Sequence, residues 1–174
     1  MKATKPFSED LITRLVVEIR KHDPKSAYRF PIASDAVSEL ARILPAGTDI
    51  SSVASGTQYD RTLALRGLLS AQELWSDATR RIVLARWVVT NWGRVDRQAK
   101  DNVTLAGLID QADKAHAGKG HFEFERIATW SKYLAFRHPS SQAIYDARVA
   151  FSLNWLLQRC GADRFFPFPS TENR

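Results

Sequence analysis

A lysine and an aspartate interrupt one of the most apolar parts of the chain, the stretch IATWSKYLAFRHPSSQAIYDARVAFSLNWLL at residues 127–157. They are Lys132 and Asp146. A neutral lysine amine is a nucleophile, and a fixed carboxylate stabilises positive charge that develops beside it. The two residues therefore indicate a pair of catalytic groups or, as the alternative, a solvated ammonium and an aspartate that only caps a helix.

The apolar spacing around Lys132 predicts a helix over about residues 122–136. At about 100° per residue, Lys132 lies about 140° from Ile127 and about 160° from Trp130. It therefore points away from the apolar face of its helix, toward a surface or a cleft. The alternative is a lysine whose carbon chain covers an apolar rim while its ammonium stays in water.

Asp146 stands where the next helix should begin. Its carboxylate can accept hydrogen bonds from the amides of Arg148 and Val149, a cap that contributes about 1 kcal/mol. The apolar residues 143–145 lead into this position, so we expect them to pin the aspartate to the core wall. A carboxylate held in this way suits a group that must face a reacting centre.

The elements that position these two residues are predicted to be helices throughout. Ser8, Ser34 and Asp77 are good helix caps, as is Asp146, and no segment alternates with period two for long enough to predict a strand. We predict one all-α domain over residues 1–174, a bundle of about seven helices with an irregular tail at 162–174. The predicted helices span about residues 8–22, 34–44, 59–74, 77–92, 103–117, 122–136 and 146–160.

Composition and charge indicate the cellular location and the kind of partner to expect. The chain has 174 residues, one cysteine and a formal net charge of +6. No apolar run reaches the roughly 18 residues that span a bilayer, and the N-terminus lacks the features of a signal peptide. We therefore expect a cytoplasmic protein with no membrane partner. The positive charge favours a polyanionic partner, because basic side chains release counterions when they neutralise phosphates.

Residues 80–100 form a cationic stretch that includes Arg94 and Arg97. Trp87 and Trp92 are interleaved with its basic residues, so the stretch could grip phosphates and stack on nucleobases. The alternative is a solvated helix face followed by a charged loop.

The segment WSKYLAF…AIYDARVAFSL resembles the catalytic segment of the helix-hairpin-helix DNA glycosylases, and most of all the 8-oxoguanine DNA glycosylases. In that family a helix carries a lysine, an extended link follows, and an apolar-apolar-Asp-x-(His/Arg)-(Val/Ile) element caps the next helix. The resemblance implies that Lys132 is the amine nucleophile and Asp146 the essential carboxylate. Arg148 stands where the family often has histidine.

The resemblance implies a DNA-repair enzyme that excises a damaged purine such as 8-oxoguanine through a lysine Schiff base, with no metal or other cofactor. The damaged nucleotide would be flipped into a pocket and stacked on aromatic rings. Together with the cationic stretch, the candidate contacts to substrate or DNA are Trp130, Ser131, Arg148, Arg94, Arg97 and Phe166. Further stacking candidates are Tyr133, Phe151, Phe165 and Phe168, and each aromatic residue has core packing as its alternative.

The sequence also departs from the family pattern. A glycine-containing hairpin precedes the family lysine, whereas FERIATWSK has no glycine, and the interval from lysine to aspartate is shorter here. The alternative is therefore a non-catalytic DNA-binding or interaction module that retains the scaffold. A third interpretation is a helical protein-interaction domain with no nucleic-acid role.

Overall fold

The computed structural model describes residues 7–28, 30–95, 102–122 and 124–169. Within these ranges the chain is all-helical and contains no strand, which confirms the predicted fold class. The helices are α1 Glu9–Arg20, α2 Pro24–Ala27, α3 Ser34–Ile43, α4 Ser51–Ala54, α5 Gln58–Leu69, α6 Ala78–Trp87, α7 Asn102–His116, α8 Ile127–Arg137 and α9 Ala147–Arg159. Short 3-10 turns cover Gln72–Trp75 and Phe124–Arg126, and α6 continues into a π turn at Val88–Trp92. In the part of the chain that the structure describes, every helix is too short or too polar to cross a membrane.

The seven longer helices correspond to the seven predicted ones, and most of the predicted caps are present. The Ser8 hydroxyl accepts from the amide of Leu11 at 3.3 Å, and the Asp77 carboxylate accepts from the amide of Arg80 at 2.7 Å. Ser34 is not a cap, because α3 begins at Ser34 itself, one residue after its N-cap. The caps therefore located helix starts to within about one residue.

Two predicted helices are shorter than expected. The helix predicted to reach residue 74 ends at Leu69, whose carbonyl accepts instead from the buried Trp75 indole N–H at 2.6 Å. The helix predicted to begin at residue 122 begins at Ile127. Phe122 stacks on Trp130 with ring centroids 4.2 Å apart, whereas eight residues along one helix would separate them by about 12 Å. Both helices are therefore shortened by an aromatic side chain that folds back.

Helix α6 lies at the centre of the core, as its nearly uniform apolar sequence predicted. Leu84 and Ala85 are fully buried, and Trp87 is 1% exposed with its indole N–H bonded to the carbonyl of Ala36 at 2.8 Å. The proposal that Trp87 stacks on nucleobases is therefore wrong, because its ring and its polar atom are both used inside the fold.

The π turn at Val88–Trp92 brings the end of this segment against α8. The amide of Gly93 bonds to the carbonyl of Val88, five residues back, at 2.8 Å, so this turn holds one residue more than an α turn. A Cβ at Gly93 would lie 2.6 Å from Cδ of Lys132. Only glycine fits where these two segments meet.

The described part of the tail, residues 162–169, is irregular as predicted. It lies against α1 and α9, where Leu11 and Leu157 form a small second cluster. The side chain of Asn154 holds both backbone groups of Phe166, with its Oδ1 2.7 Å from the amide and its Nδ2 2.8 Å from the carbonyl. The tail is thereby fixed to α9 without being helical.

Candidate active site

Asp146 is the N-cap of α9, and four hydrogen-bond donors surround its carboxylate. Oδ1 accepts from the amides of Arg148 at 3.0 Å and Val149 at 3.1 Å, the cap predicted from the sequence. Oδ2 accepts from the Arg148 guanidinium at 3.0 Å and from Lys132 Nζ at 3.4 Å. The cap alone leaves Oδ2 free for these two cations, so Asp146 is both a helix cap and the partner of a buried amine.

Lys132 is 2% exposed, so the alternative of a solvated ammonium is wrong. Besides its contact with Asp146, Nζ donates to the carbonyl of Ala128, one turn earlier in α8, at 2.9 Å. The side chain therefore follows its own helix and ends beside α9. Burial of a lysine with only these two acceptors removes most of the hydration that ordinarily stabilises its charge.

The electrostatics of the pair follow from this geometry. Burial is the largest influence on the pKa of Lys132 and lowers it; Asp146 opposes that effect, and the pKa lies below its ordinary value. Burial also disfavours the charged form of Asp146, but the Val149 amide, Lys132 and Arg148 outweigh it, so the pKa of Asp146 is lowered. The site thus combines a stable carboxylate with an amine shifted toward its neutral, nucleophilic form.

Ser131 joins the two segments that carry these residues. Its hydroxyl donates to the carbonyl of Tyr145 at 3.1 Å and accepts from the amide of Tyr145 at 3.0 Å. The residue before Lys132 is thus bonded to the residue before Asp146. Ser131 was predicted to contact the substrate, but it is 2% exposed. Its role in the structure is to hold together the two segments that carry Lys132 and Asp146.

Lys132 and Asp146 open onto a cavity of about 680 Å³. Arg148 also lines it, so the structure brings together three of the residues selected from the sequence. The other walls come from α1, the segment before α3, the π turn, the link before α9 and one face of α9. Those lining residues are Ile19, Tyr28, Phe30, Trp92, Ile144, Val149, Ser152, Leu153 and Leu156.

Arg94 lies beside the cavity, although it does not line it. Its guanidinium is 5.4 Å from the centre of the Phe30 ring and donates to the carbonyl of Pro31 at 3.3 Å. The Arg148 guanidinium is 4.9 Å from the same ring centre. Two cations thus flank one aromatic wall of the cavity. Arg97 falls outside the described residues.

Of the aromatic residues selected from the sequence, Trp92 lines the cavity and the others lie elsewhere. Trp130 stacks on Phe122, and Phe166 packs against Phe7 at 5.5 Å in the cluster between α1 and the tail. Tyr28 and Phe30, which were not selected, complete the aromatic lining. The further stacking candidates Tyr133, Phe151, Phe165 and Phe168 are also absent from its lining.

Sequence reasoning missed Phe30 as a wall of the cavity and treated Gly93 only as the end of a helix. Phe30 lies in a non-helical segment about one hundred residues before Lys132, and no local pattern connects the two. A usable signal was present at Trp92-Gly93, since a large aromatic followed by glycine at a helix end permits close approach by another segment.

Among the described residues, no group of three or more His, Cys, Asp or Glu side chains is placed to hold a metal ion. No family model, curated protein or solved structure matches the chain. The chemistry of the cavity therefore has to be argued from its own residues.

Proposed function

We propose that this protein is a DNA glycosylase with lyase activity, which excises a damaged purine through Lys132. The observation that carries the proposal is the contact between Lys132 Nζ and Asp146 Oδ2, 3.4 Å apart at the wall of an open cavity of about 680 Å³. A buried amine beside a fixed carboxylate is the pair of groups that the resemblance to the 8-oxoguanine DNA glycosylases implies.

In the proposed reaction, neutral Lys132 Nζ attacks C1′ of the damaged nucleotide. The N-glycosidic bond breaks, and its electron pair leaves with the base. After the attack the nitrogen carries two protons; one passes to O4′ as the C1′–O4′ bond breaks, and the opened sugar remains joined to Nζ as a protonated Schiff base at C1′. Loss of a proton from C2′ lets the 3′-phosphate depart, which cleaves the strand. Asp146 stabilises the positive charge that develops on the sugar as the base departs.

The electrostatics support these roles. Asp146 has a lowered pKa and is ionised at neutral pH, so its negative charge is present when the sugar becomes cationic. Burial lowers the pKa of Lys132, which raises the fraction of neutral amine. Perturbed amines of this kind act as nucleophiles in Schiff-base enzymes.

The size and lining of the cavity support a flipped nucleobase as its occupant. Its volume lies within the range of roughly 300–1,000 Å³ that small-molecule sites occupy. Phe30 and Trp92 offer aromatic surfaces against which a base can pack. The Arg94 and Arg148 guanidiniums both lie near the Phe30 ring, 5.4 Å and 4.9 Å from its centre, and supply positive charge for a phosphate backbone. The net charge of +6 acts in the same direction.

The decisive experiment is covalent trapping. The protein is incubated with duplex DNA that contains 8-oxoguanine or an abasic site, borohydride is added, and the adduct is resolved by denaturing electrophoresis. We expect an adduct with the wild type and none with Lys132→Ala. Lys119→Ala removes an exposed lysine and serves as the matched control, which should trap DNA as the wild type does.

Asp146→Asn separates the chemical role of the carboxylate from its structural role. Asparagine can still cap α9, so we expect the variant to fold and to bind DNA while base excision is lost. Retention of DNA without any adduct in the wild type would instead support the non-catalytic DNA-binding module. If the wild type neither retains DNA at low salt nor forms an adduct, the remaining interpretation is a protein-interaction domain.

A further inference from the structure

One face of α9 presents basic and aromatic side chains to solvent, and we call it the α9 stripe. At about 100° per residue, its members lie within about 60° of one another around the helix. They are Arg148, Ser152, Trp155 and Arg159. Each of them is exposed, and Trp155 is 42% exposed. An aromatic ring between basic side chains is a combination with which proteins bind a nucleic-acid strand.

The α9 stripe begins at the cavity. Arg148 and Ser152 line the cavity, as do Val149, Leu153 and Leu156 on the adjoining face of the helix. The cavity rim and the α9 stripe are therefore one continuous surface. From Arg148 to the C-terminal end of α9 the helix rises about 16 Å, which equals about five nucleotides at the spacing of about 3.4 Å along one strand of a duplex.

Arg159, at the far end of the stripe, is fixed by groups around it. Its guanidinium pairs with Glu18 at 2.8 Å and lies 4.9 Å from the centre of the Trp155 ring. Glu18 also pairs with Lys21 at 2.6 Å, so one carboxylate faces two cations. The Glu18 side chain is 11% exposed, whereas those of Arg159 and Lys21 are 53% and 62% exposed. The carboxylate thus holds the arginine from inside, and a net positive charge faces solvent.

We propose that the outer part of the α9 stripe binds the DNA strand that flanks the flipped nucleotide, with Arg159 against a phosphate and Trp155 packed on the strand. This inference rests on the proposed function and adds the path of the flanking DNA to it. Guanidinium groups pair with phosphate oxygens, and an exposed aromatic ring packs on nucleotides of any sequence. The strand leaves the cavity at Arg148 and follows α9 to Arg159.

The first test measures the affinity for a duplex with an uncleavable abasic analogue at several salt concentrations. A lost phosphate contact releases fewer counterions, so Arg159→Gln should weaken binding and reduce the slope of log K against log salt by about 1. Arg159→Lys keeps the charge and should restore the slope. Arg42→Gln removes an exposed arginine of α3, outside the cavity lining, and should keep the wild-type slope. An unchanged slope in folded Arg159→Gln would overturn the inference.

The second test removes the aromatic ring. Trp155→Ala should weaken binding to the same duplex roughly fivefold and leave the salt slope unchanged, because packing is lost but no charge is removed. Leu63→Ala changes an apolar residue of α5 that is 47% exposed, and it should bind as the wild type does. Wild-type affinity in Trp155→Ala would contradict the proposed path.

The third test shortens the DNA to about two base pairs from the abasic analogue, on one side at a time. In the wild type, one of the two truncations should weaken binding more than the other, because it removes the phosphate that Arg159 contacts. That truncation should cost less affinity in Arg159→Gln, and as much as in the wild type in Arg42→Gln. Equal costs in the wild type and Arg159→Gln would overturn the inference.

The glycosylase proposal is judged separately, by borohydride trapping. Trapping by the wild type with an unchanged salt slope in Arg159→Gln would overturn this inference alone. A reduced slope in Arg159→Gln without trapping by the wild type would support the DNA path and reject the enzyme. A wild type that does not bind DNA at low salt would overturn both.

Discussion

The Ser131 hydroxyl bonds to both backbone groups of Tyr145, 3.1 Å from the carbonyl and 3.0 Å from the amide. Ser131 precedes Lys132 and Tyr145 precedes Asp146, so the bonded pair lies one residue before the two residues proposed to be catalytic. The bond therefore fixes the two backbone segments that carry the amine and the carboxylate relative to each other.

We expect Ser131→Ala to remain folded but to position Lys132 and Asp146 less precisely relative to each other. The variant leaves two part-buried backbone groups of Tyr145 unbonded and should lower the free energy of unfolding by about 1–3 kcal/mol. Trapping of an abasic duplex should slow by about tenfold, because the segment that carries Asp146 is no longer bonded to the helix that carries Lys132. Ser38→Ala, which removes an exposed hydroxyl bonded to its own helix, is the control. Normal trapping by folded Ser131→Ala would show that the bond is only structural.

The reaction should be faster at higher pH. Burial lowers the pKa of Lys132 from its ordinary value of 10.5, so the amine loses its proton at a lower pH than a solvated lysine does. Adduct formation with an abasic duplex should therefore rise with pH and level off once the folded-state pKa is passed, with a midpoint below 10.5. Folding itself should become more favourable with rising pH between the folded and unfolded pKa values, because the unfolded chain holds the proton there. NMR titration of the Lys132 side chain measures the midpoint directly.

Asp146 raises the pKa of Lys132, although less than burial lowers it. Asp146→Asn should consequently move the midpoint of the Lys132 titration to still lower pH, even while it abolishes excision. A shift toward higher pH would contradict the electrostatic account of the pair. The same titration in Lys132→Ala identifies the signal.

Gly93→Ala and Gly107→Ala should have opposite effects on stability. A Cβ at Gly93 would lie 2.6 Å from Lys132 Cδ and within 2.8 Å of the carbonyls of Val88 and Val89, whereas a Cβ at Gly107 meets nothing within 4 Å. We expect the first change to cost about 1–3 kcal/mol and to slow trapping, and the second to add about 0.5–1 kcal/mol by favouring helix α7. Urea unfolding measures both, and a neutral Gly93→Ala would refute the close approach.

Asp113 should be more important to stability than its neighbour Asp110 on the same helix. Its carboxylate accepts from the Tyr133 hydroxyl at 3.0 Å and pairs with Arg137 and Arg81, which joins α6, α7 and α8. Asp113→Asn should cost about 2 kcal/mol. Asp110 pairs only with Lys114 among the described residues, and both side chains are 61% exposed, so Asp110→Asn should change little. Equal effects in thermal unfolding would contradict this assignment.

Much of the fold was predictable because its signals are local. Ser8 and Asp77 cap the helices that come after them, and apolar spacing at the helical period located the seven longer helices. The errors arose where an aromatic side chain several residues along the chain folded back onto a helix end. The Trp75 indole N–H donates to the carbonyl of Leu69, and the Phe122 ring stacks on Trp130. No sequence pattern in the neighbouring residues predicts either contact.

In the candidate site, too, the residues with local signals were predictable and those placed by long-range packing were not. Asp146 was predictable from its capping position, and Lys132 from its place in an apolar helix, since both are properties of a short segment. The assembly of the cavity walls was not predictable. Trp92 was selected as a residue that could stack on bases, but Phe30 reaches the site from before α3 and Trp92 from a π turn. Their meeting beside Lys132 therefore depends on how separate segments pack.

The π turn also determines which changes in chain length the protein can tolerate. It holds five residues, Val88–Trp92, where an α turn holds about four, so the extra residue is accommodated within the turn and the chain on either side keeps its direction. Removing one residue between Val88 and Trp92 would leave an ordinary α turn, with Gly93 still one turn after Val88. We therefore expect a single-codon deletion here to leave Trp92 and Gly93 close to their present positions, so this stretch is a place where the chain can shorten without losing its neighbours.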